Sequence, residues 1–268
     1  MLRIISSRIV IFLALLHLHA SAQEPVPQPT PYSFDVVAIR PSTTDSWKMG
    51  MSMRDGTLQA TNLYLKSIIT SAYGVREGLI SGLPAWAETA RFDIHAKVVD
   101  VDPKQFNGMS RSQRQAMIAA LLLDRFHLKV HTAIRTLPVY ELVIAKEGPK
   151  FSEKVPPSVD TNERKGTIAS GKVSVTKNEF TANDAAMLTL SSFLAETLDR
   201  TVIDKTGLTG RYNLQVKWTP DDAPASDSGN APPSIFTALQ EQLGLRLQSG
   251  KGPVETLVVD HIDPPSEN

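Results

Sequence analysis

Cysteine is absent from the 268 residues of this sequence. That excludes disulfides, thiolate catalysis, zinc–thiolate sites and a lipid-modified N-terminal cysteine. Charge of one sign is also missing, since 28 basic residues face 28 acidic ones. A nucleic-acid binder needs a basic footprint to displace counterions, and an anionic lipid surface needs a polybasic patch. The sequence offers neither. Long apolar runs are lacking too: the stretch from Ile9 to Leu16 is interrupted by His17 and His19. It is too short to cross ~30 Å of hydrocarbon, which takes about 20 residues.

What is present begins with that short run. Arg3 and Arg8 precede or open it, and Ala20-Ser21-Ala22 supplies small residues after it. This tripartite pattern reads as a secretory leader cleaved before Gln23. Its removal takes two basic residues and no acids, so the mature chain is slightly acidic. The expectation is an exported protein, periplasmic or extracellular, with no nucleic-acid partner and no stable membrane insertion after cleavage. Lacking disulfides, it must be stabilised by its core, for which 41% hydrophobic residues suffice.

Composition divides the chain further. Residues 1–22 are the leader and 23–31 a Pro-rich tether. Residues 32–146 form a first structured block, 147–165 a loose linker and 166–268 a second block. Within the last, 220–233 (PDDAPASDSGNAPP) reads as a flexible acidic loop. Helix starts are expected at Asn62, at Ser110 with Gln113 in a capping-box pattern, at Asn183 and at Ser234. Phe126, Leu128 and Val130 alternate with His127, Lys129 and His131 as a strand would. The runs Leu142–Ile144 and Leu257–Val259 suit buried strands.

The two blocks echo one another. Met51-x-Met53 with Leu58-x-Ala60 matches Val173-x-Val175 with Phe180-x-Ala182. Arg91-Phe92-Asp93-Ile94 matches Arg211-Tyr212-Asn213-Leu214. Phe126-x-Leu128 matches Leu243-x-Leu245, and Leu142-Val143-Ile144 matches Leu257-Val258-Val259. The predicted fold is therefore α+β, in two tandem pseudo-symmetric repeats. Each runs hairpin, helix, strand, helix, hairpin, with mainly antiparallel sheet.

Apparent chemical motifs fail on context. Gly166 to Lys172 resembles a phosphate loop, but Val173 stands where a magnesium-binding Ser or Thr belongs, and a strand follows instead of a helix. Ser174 to Lys177 with Lys205-Thr206-Gly207 resembles fragments of penicillin-recognising serine enzymes, whose serine opens a helix; here it sits in a strand pattern. His127 and His131 on one strand would lie about 13 Å apart, too far for one metal. His95 reads as a strand-face residue, and His261 beside Asp260 and Asp263 is a generic pairing. Asp35, Asp93 and Asp204 suit turn caps or ion pairs, while Tyr73, Trp86 and Trp218 suit core edges. No catalytic, cofactor-binding or metal-ligating residue is assigned, and no cofactor is expected.

The segments "ATNLYLKSIITSAYGV", "ISGLPAWAETARFDIHAK", "LLLDRFHLKVHTAIRTLPVYELVIAKEGPK", "VIDKTGLTGRYNLQVKWTP" and "FTALQEQLGLRLQSGKGPVETLVVDHIDPPSEN" resemble the soil-associated acidobacterial paralogous family. That family consists of secreted proteins carrying a domain of unknown function. The resemblance spans nearly all of the mature chain and implies export, but carries no established active site. Similar domains occur as the outer portion of membrane-bound metallopeptidases of the antibiotic-sensor type. The function expected is a non-enzymatic extracytoplasmic binding or sensory module, with an envelope protein, peptide or glycan as partner. The alternatives are a hydrolase assembled from distant residues or a structural component of an envelope assembly.

Overall fold

The structure is a computed structural model that describes residues 32–43, 48–153, 172–219 and 233–265. The leader, the tether and almost all of the acidic loop lie outside the described residues, as does most of the phosphate-loop-like segment. Helices combine with largely antiparallel sheets, the α+β class expected from the sequence. The chain divides into two compact units: residues 1–133 with 255–268, and residues 134–254.

The first unit holds β1 (Val36–Pro41), β2 (Gly50–Arg54), β3 (Thr57–Tyr64), α1 (Leu65–Tyr73), β4 (Ile80–Ser81), α2 (Ala85–Thr89), β5 (Arg91–Lys97), α3 (Pro103–Asn107) and α4 (Arg111–Phe126). Four strands form an antiparallel sheet in the order β1-β5-β3-β2. Its hairpin β2–β3 closes on Asp55-Gly56, both at positive φ (51° and 79°), as a two-residue hairpin turn requires. Alternation in β3 and β5 buries Leu58, Ala60, Phe92, Ile94 and Ala96 on one face. Against that face pack Leu65, Ile68 and Ile69 of α1 and Leu121, Leu122 and Phe126 of α4. Phe92 and Phe126 meet edge to face at 5.2 Å.

Two expected helix features resolve differently. Asn62 does not cap α1. It is buried in β3 at a register shift, with φ 52°, and its main-chain N–H donates to the Asp93 carboxylate at 2.7 Å. The helix begins at Leu65, behind Tyr64, which supplies no side-chain cap. Asparagine favours both the left-handed bulge and the N-cap, so residue type alone does not separate them. By contrast, Ser110 and Gln113 form both halves of the capping box that opens α4. That helix runs on through Phe126, and His127 closes it in the left-handed conformation (φ 49°). The strand pattern read from Phe126 therefore starts late: β6 (Lys129–Ile144) opens two residues beyond the cap.

The first residues of β6 belong to this unit, as do the last of β11 (Leu245–His261). β4 runs parallel to β11 through Leu257↔Ile80 and Val258↔Ser81, and Thr256 Oγ1 donates to the Ala133 carbonyl at 2.9 Å. A satellite cluster of Val98, Phe106, Met109 and Met117 packs under Tyr32 and Met53.

The second unit contains β7 (Val173–Val175), β8 (Glu179–Ala185), α5 (Met187–Thr197), β9 (Val202–Asp204), β10 (Tyr212–Lys217) and α6 (Ile235–Ala238). Three of these strands form an antiparallel sheet in the order β10-β8-β7. Later residues of β6 pair in parallel with β9 (Tyr140↔Val202 to Leu142↔Asp204). Phe180, Leu190, Leu194, Leu214, Val216, Leu239 and Leu245 form the core. Asn183 is not a helix cap either; it lies inside β8, and α5 begins after Ala186. Its neighbour Asp184 (φ 57°) donates its N–H to Asn213 Oδ1 at 3.0 Å and ion-pairs with Arg211 at 2.9 Å.

Ser234 caps α6 as expected, and a π-helical turn, Leu239–Leu243, ends at Gly244 (φ 63°). A β-carbon at Gly244 would stand 1.9 Å from the Gly148 carbonyl oxygen, so only glycine fits. The start of the segment read as a linker is packed: Lys150 N–H donates to Leu243 O, and Phe151 meets Tyr212 edge to face at 5.2 Å.

Replacing Ser110 with alanine removes one half of the capping box and should cost about 1 kcal/mol of unfolding free energy. Urea denaturation followed by circular dichroism measures it; an unchanged midpoint would contradict the capping role.

Candidate functional site

The hairpin turn decides which way the edge strand faces. In a two-residue hairpin the flanking pair, Arg54↔Thr57, exchanges hydrogen bonds, and the pattern alternates from there. Ser52 and Gly50 therefore bond to β3, while Met51 and Met53 turn their main-chain N–H and C=O groups away from it. Since β2 is the last strand of its sheet, those groups lie on an open edge with no partner strand among the described residues. An unprotected edge invites pairing with another chain.

One side chain from α4 engages that edge. Arg114 donates through Nη1 to the Met53 carbonyl at 2.8 Å. Its remaining donors reach Asn107 O at 2.5 Å, Phe106 O at 3.5 Å and Met109 O at 3.3 Å. A guanidinium has five donors in a planar fork and suits this kind of shared carbonyl binding. The Met53 carbonyl is therefore occupied, leaving the Met51 N–H and C=O and the Met53 N–H facing outward.

Between β2 and the helices lies a cleft of about 340 Å³. Met51, Ser52 and Met53 form one wall. Ser71 of α1 and Arg111, Arg114, Gln115 and Ile118 of α4 form the other. Ser71 directs its hydroxyl to the Ser67 carbonyl one turn back, at 2.9 Å. Gln115 lies over Gly74, the left-handed cap of α1. None of the lining residues is acidic. The first turn of α4 carries Arg111 and Arg114 and no carboxylate, although the positive end of a helix dipole favours acids. Arg111 is exposed and has no acidic partner among the described residues. The cleft thus joins an open strand edge, an apolar floor and positive charge, features suited to holding a ligand.

The histidines gather elsewhere in the first unit. His131 Nδ1 meets both oxygens of Asp260 at 2.9 and 2.8 Å. His127 Nδ1 and His261 Nε2 both approach Asp263 Oδ2, at 3.2 and 3.0 Å. The bond to His261 is the largest cause that holds the Asp263 carboxyl below its ordinary value; desolvation opposes it, and the attraction of the His261 ring and the bond and charge of His127 add to the lowering. Among the described residues no three His, Asp or Glu side chains are placed to hold a metal ion. His127 and His131 are not two rungs of one strand, because His127 is the cap of α4. Nor is His261 a generic neighbour: it shares the Asp263 carboxylate with His127, the cap of α4. A 16-residue helix rising about 1.5 Å per residue separates His127 from Arg111 by roughly 24 Å.

The remaining candidates have structural roles. Ser174 is exposed in β7, and Lys205 donates its main-chain N–H to Leu142 O. Asp35, Asp93 and Asp204 accept from the main-chain N–H groups of Val99, Asn62 and Thr206. His95 is exposed on β5, opposite Phe92, Ile94 and Ala96. Trp218 is buried in the second core, and Tyr73 and Trp86 pack at the edge of the first. Burial raises the Tyr73 phenol above its ordinary value.

A family model described as a protein of unknown function, DUF3738, matches residues 66–262. The chain belongs to that family. The match opens inside α1, so it takes in the helical wall of the cleft and leaves β2 before it. No curated protein and no solved structure matches this DUF3738 chain. Among the described residues no helix is long and apolar enough to cross a membrane.

The cleft residues Met51, Arg111, Arg114 and Gln115 were not singled out by sequence reasoning as a site. The signal was the pair of arginines directly after the Ser110 cap, where helix electrostatics disfavours them.

The lowered Asp263 value sets a sign. Its stabilising contribution is present above the ordinary carboxylate range and is lost as pH falls through the lowered value. Asp263→Asn should therefore unfold at lower urea than the parent at pH 5, and the gap should close below about pH 3.9. A gap that stays constant down to pH 2 would contradict the histidine–carboxylate cluster.

Proposed function

We propose that this chain is an exported, non-enzymatic binding module whose ligand occupies the cleft between β2 and α4. The observation that supports this most directly is the cleft itself: an unpaired strand edge beside two arginines with no carboxylate in its lining. Ligand sites are typically concave, largely apolar and fitted with a few convergent polar groups. Export rests on the leader pattern at residues 1–22, and an origin in the soil-associated acidobacterial family on the segments that resemble it. The histidine–carboxylate pairs, which a hydrolase would draw upon, stand at the far end of α4 from this cleft.

We further read the two sequence blocks, 32–146 and 166–268, as copies of one plan. β2–β3, α1, β5, α4 and β6 run in the same order as β7–β8, α5, β10, α6 and β11. Both inner hairpin strands carry a left-handed residue, Asn62 and Asp184, whose N–H donates to a side chain of the antiparallel partner strand, Asp93 of β5 and Asn213 of β10. Both long strands follow a left-handed cap, His127 and Gly244.

The test is thermal stabilisation of the mature protein by peptides, glycans and envelope proteins. A ligand at 100 times its dissociation constant should add about 2.7 kcal/mol. Ser71→Trp, which fills the cleft from α1, should abolish that gain while the variant remains folded. Stabilisation that survives Ser71→Trp would place the ligand elsewhere and overturn the proposal.

A further inference from the structure

We infer that the ligand of this cleft is an extended peptide segment carrying a carboxylate, which adds as a strand to β2 and pairs its acid with Arg111. The inference rests on the cleft being a binding site and specifies what fills it. The outward groups of Met51 and Met53 repeat at the two-residue spacing of a strand, which matches the main chain of another strand. The Met51 N–H and C=O and the Met53 N–H supply the hydrogen bonds. Arg114, by holding the Met53 carbonyl, ends the pairing there and fixes its register. Side chains that alternate toward the cleft meet Met51, Met53 and Ile118.

Charge supplies the second half of the argument. Arg111 and Gln115 are four residues apart and so lie on one face of α4, across the cleft from the strand edge. Arg111 has no acidic partner among the described residues, and the lining adds none. An acid on the incoming segment completes the pair. Its source is either an acidic side chain or a free C-terminus, since both present the same planar group to a guanidinium.

Three labelled pentapeptides of alternating valine and threonine distinguish these cases by fluorescence anisotropy with the mature protein. One ends in glutamate with an amidated C-terminus, one has no acidic side chain but a free C-terminal carboxylate, and one is neutral throughout. At least one acidic peptide should bind about tenfold or more tightly than the neutral one, and added salt should narrow the difference. The tighter of the two acidic peptides identifies the source of the carboxylate. Arg111→Gln, an exposed change that removes the charge without reversing it, should erase that preference. Met51→Pro removes an outward N–H on an edge strand and should weaken all three.

Equal affinities for all three peptides would overturn the carboxylate assignment while leaving the cleft as a binding site. Failure of all three to bind, with stabilisation by a glycan that Ser71→Trp abolishes, would overturn the peptide assignment and retain the binding module. Loss of both signals would end both readings.

Discussion

The guanidinium of Arg114 is the joint on which the candidate site depends. It gathers carbonyls from α3, from the turn before α4 and from the edge strand β2, and so sets the distance between strand and helix. Hydrogen bonds from a charged donor are worth about 1.5–3 kcal/mol each at most, and shared among four acceptors they fix geometry more than they add stability. The consequence is an edge that is half closed. One carbonyl is occupied, and the groups beside it remain turned outward. An edge wholly covered could bind nothing, and one wholly open would invite aggregation.

Much of the fold was legible because local chemistry and tertiary structure agree. Ser110 and Gln113 announced α4, and Ser234 announced α6, since a hydroxyl placed before an amphipathic run satisfies orphan N–H groups. Alternation in β3, β5, β8 and β10 followed from sheets with one buried face. Errors fell where one residue type serves two geometries. Asn62 and Asn183 have the residue type and position of caps, yet Asn62 occupies a left-handed bulge and Asn183 precedes one at Asp184. His127 fits a strand pattern because apolar alternation runs unbroken across the helix cap and into β6.

The site was less legible, for a reason of topology. The Arg114 contact with Met53 spans 61 residues and the His131 contact with Asp260 spans 129. Neither separation leaves a local pattern. Composition could show that acids and bases balance overall, but not that the lining of one cleft contains only the basic kind. What sequence did hold was the anomaly of Arg111 and Arg114 in a first helical turn, and the Met-x-Met pattern of β2, which echoes the second block but carries no mark of a sheet edge. Short motifs, by contrast, drew attention to Ser174 and Lys205, which stand in a strand and in the loop after one.

Amide hydrogen exchange at Met51 and Met53, with and without the tightest-binding peptide, tests the central claim most directly. Both amides should exchange quickly in the free protein, unlike that of Ser52, and become protected when the peptide is bound. Protection already present in the free protein, or binding that leaves both amides fast, would contradict an edge held open for an incoming strand.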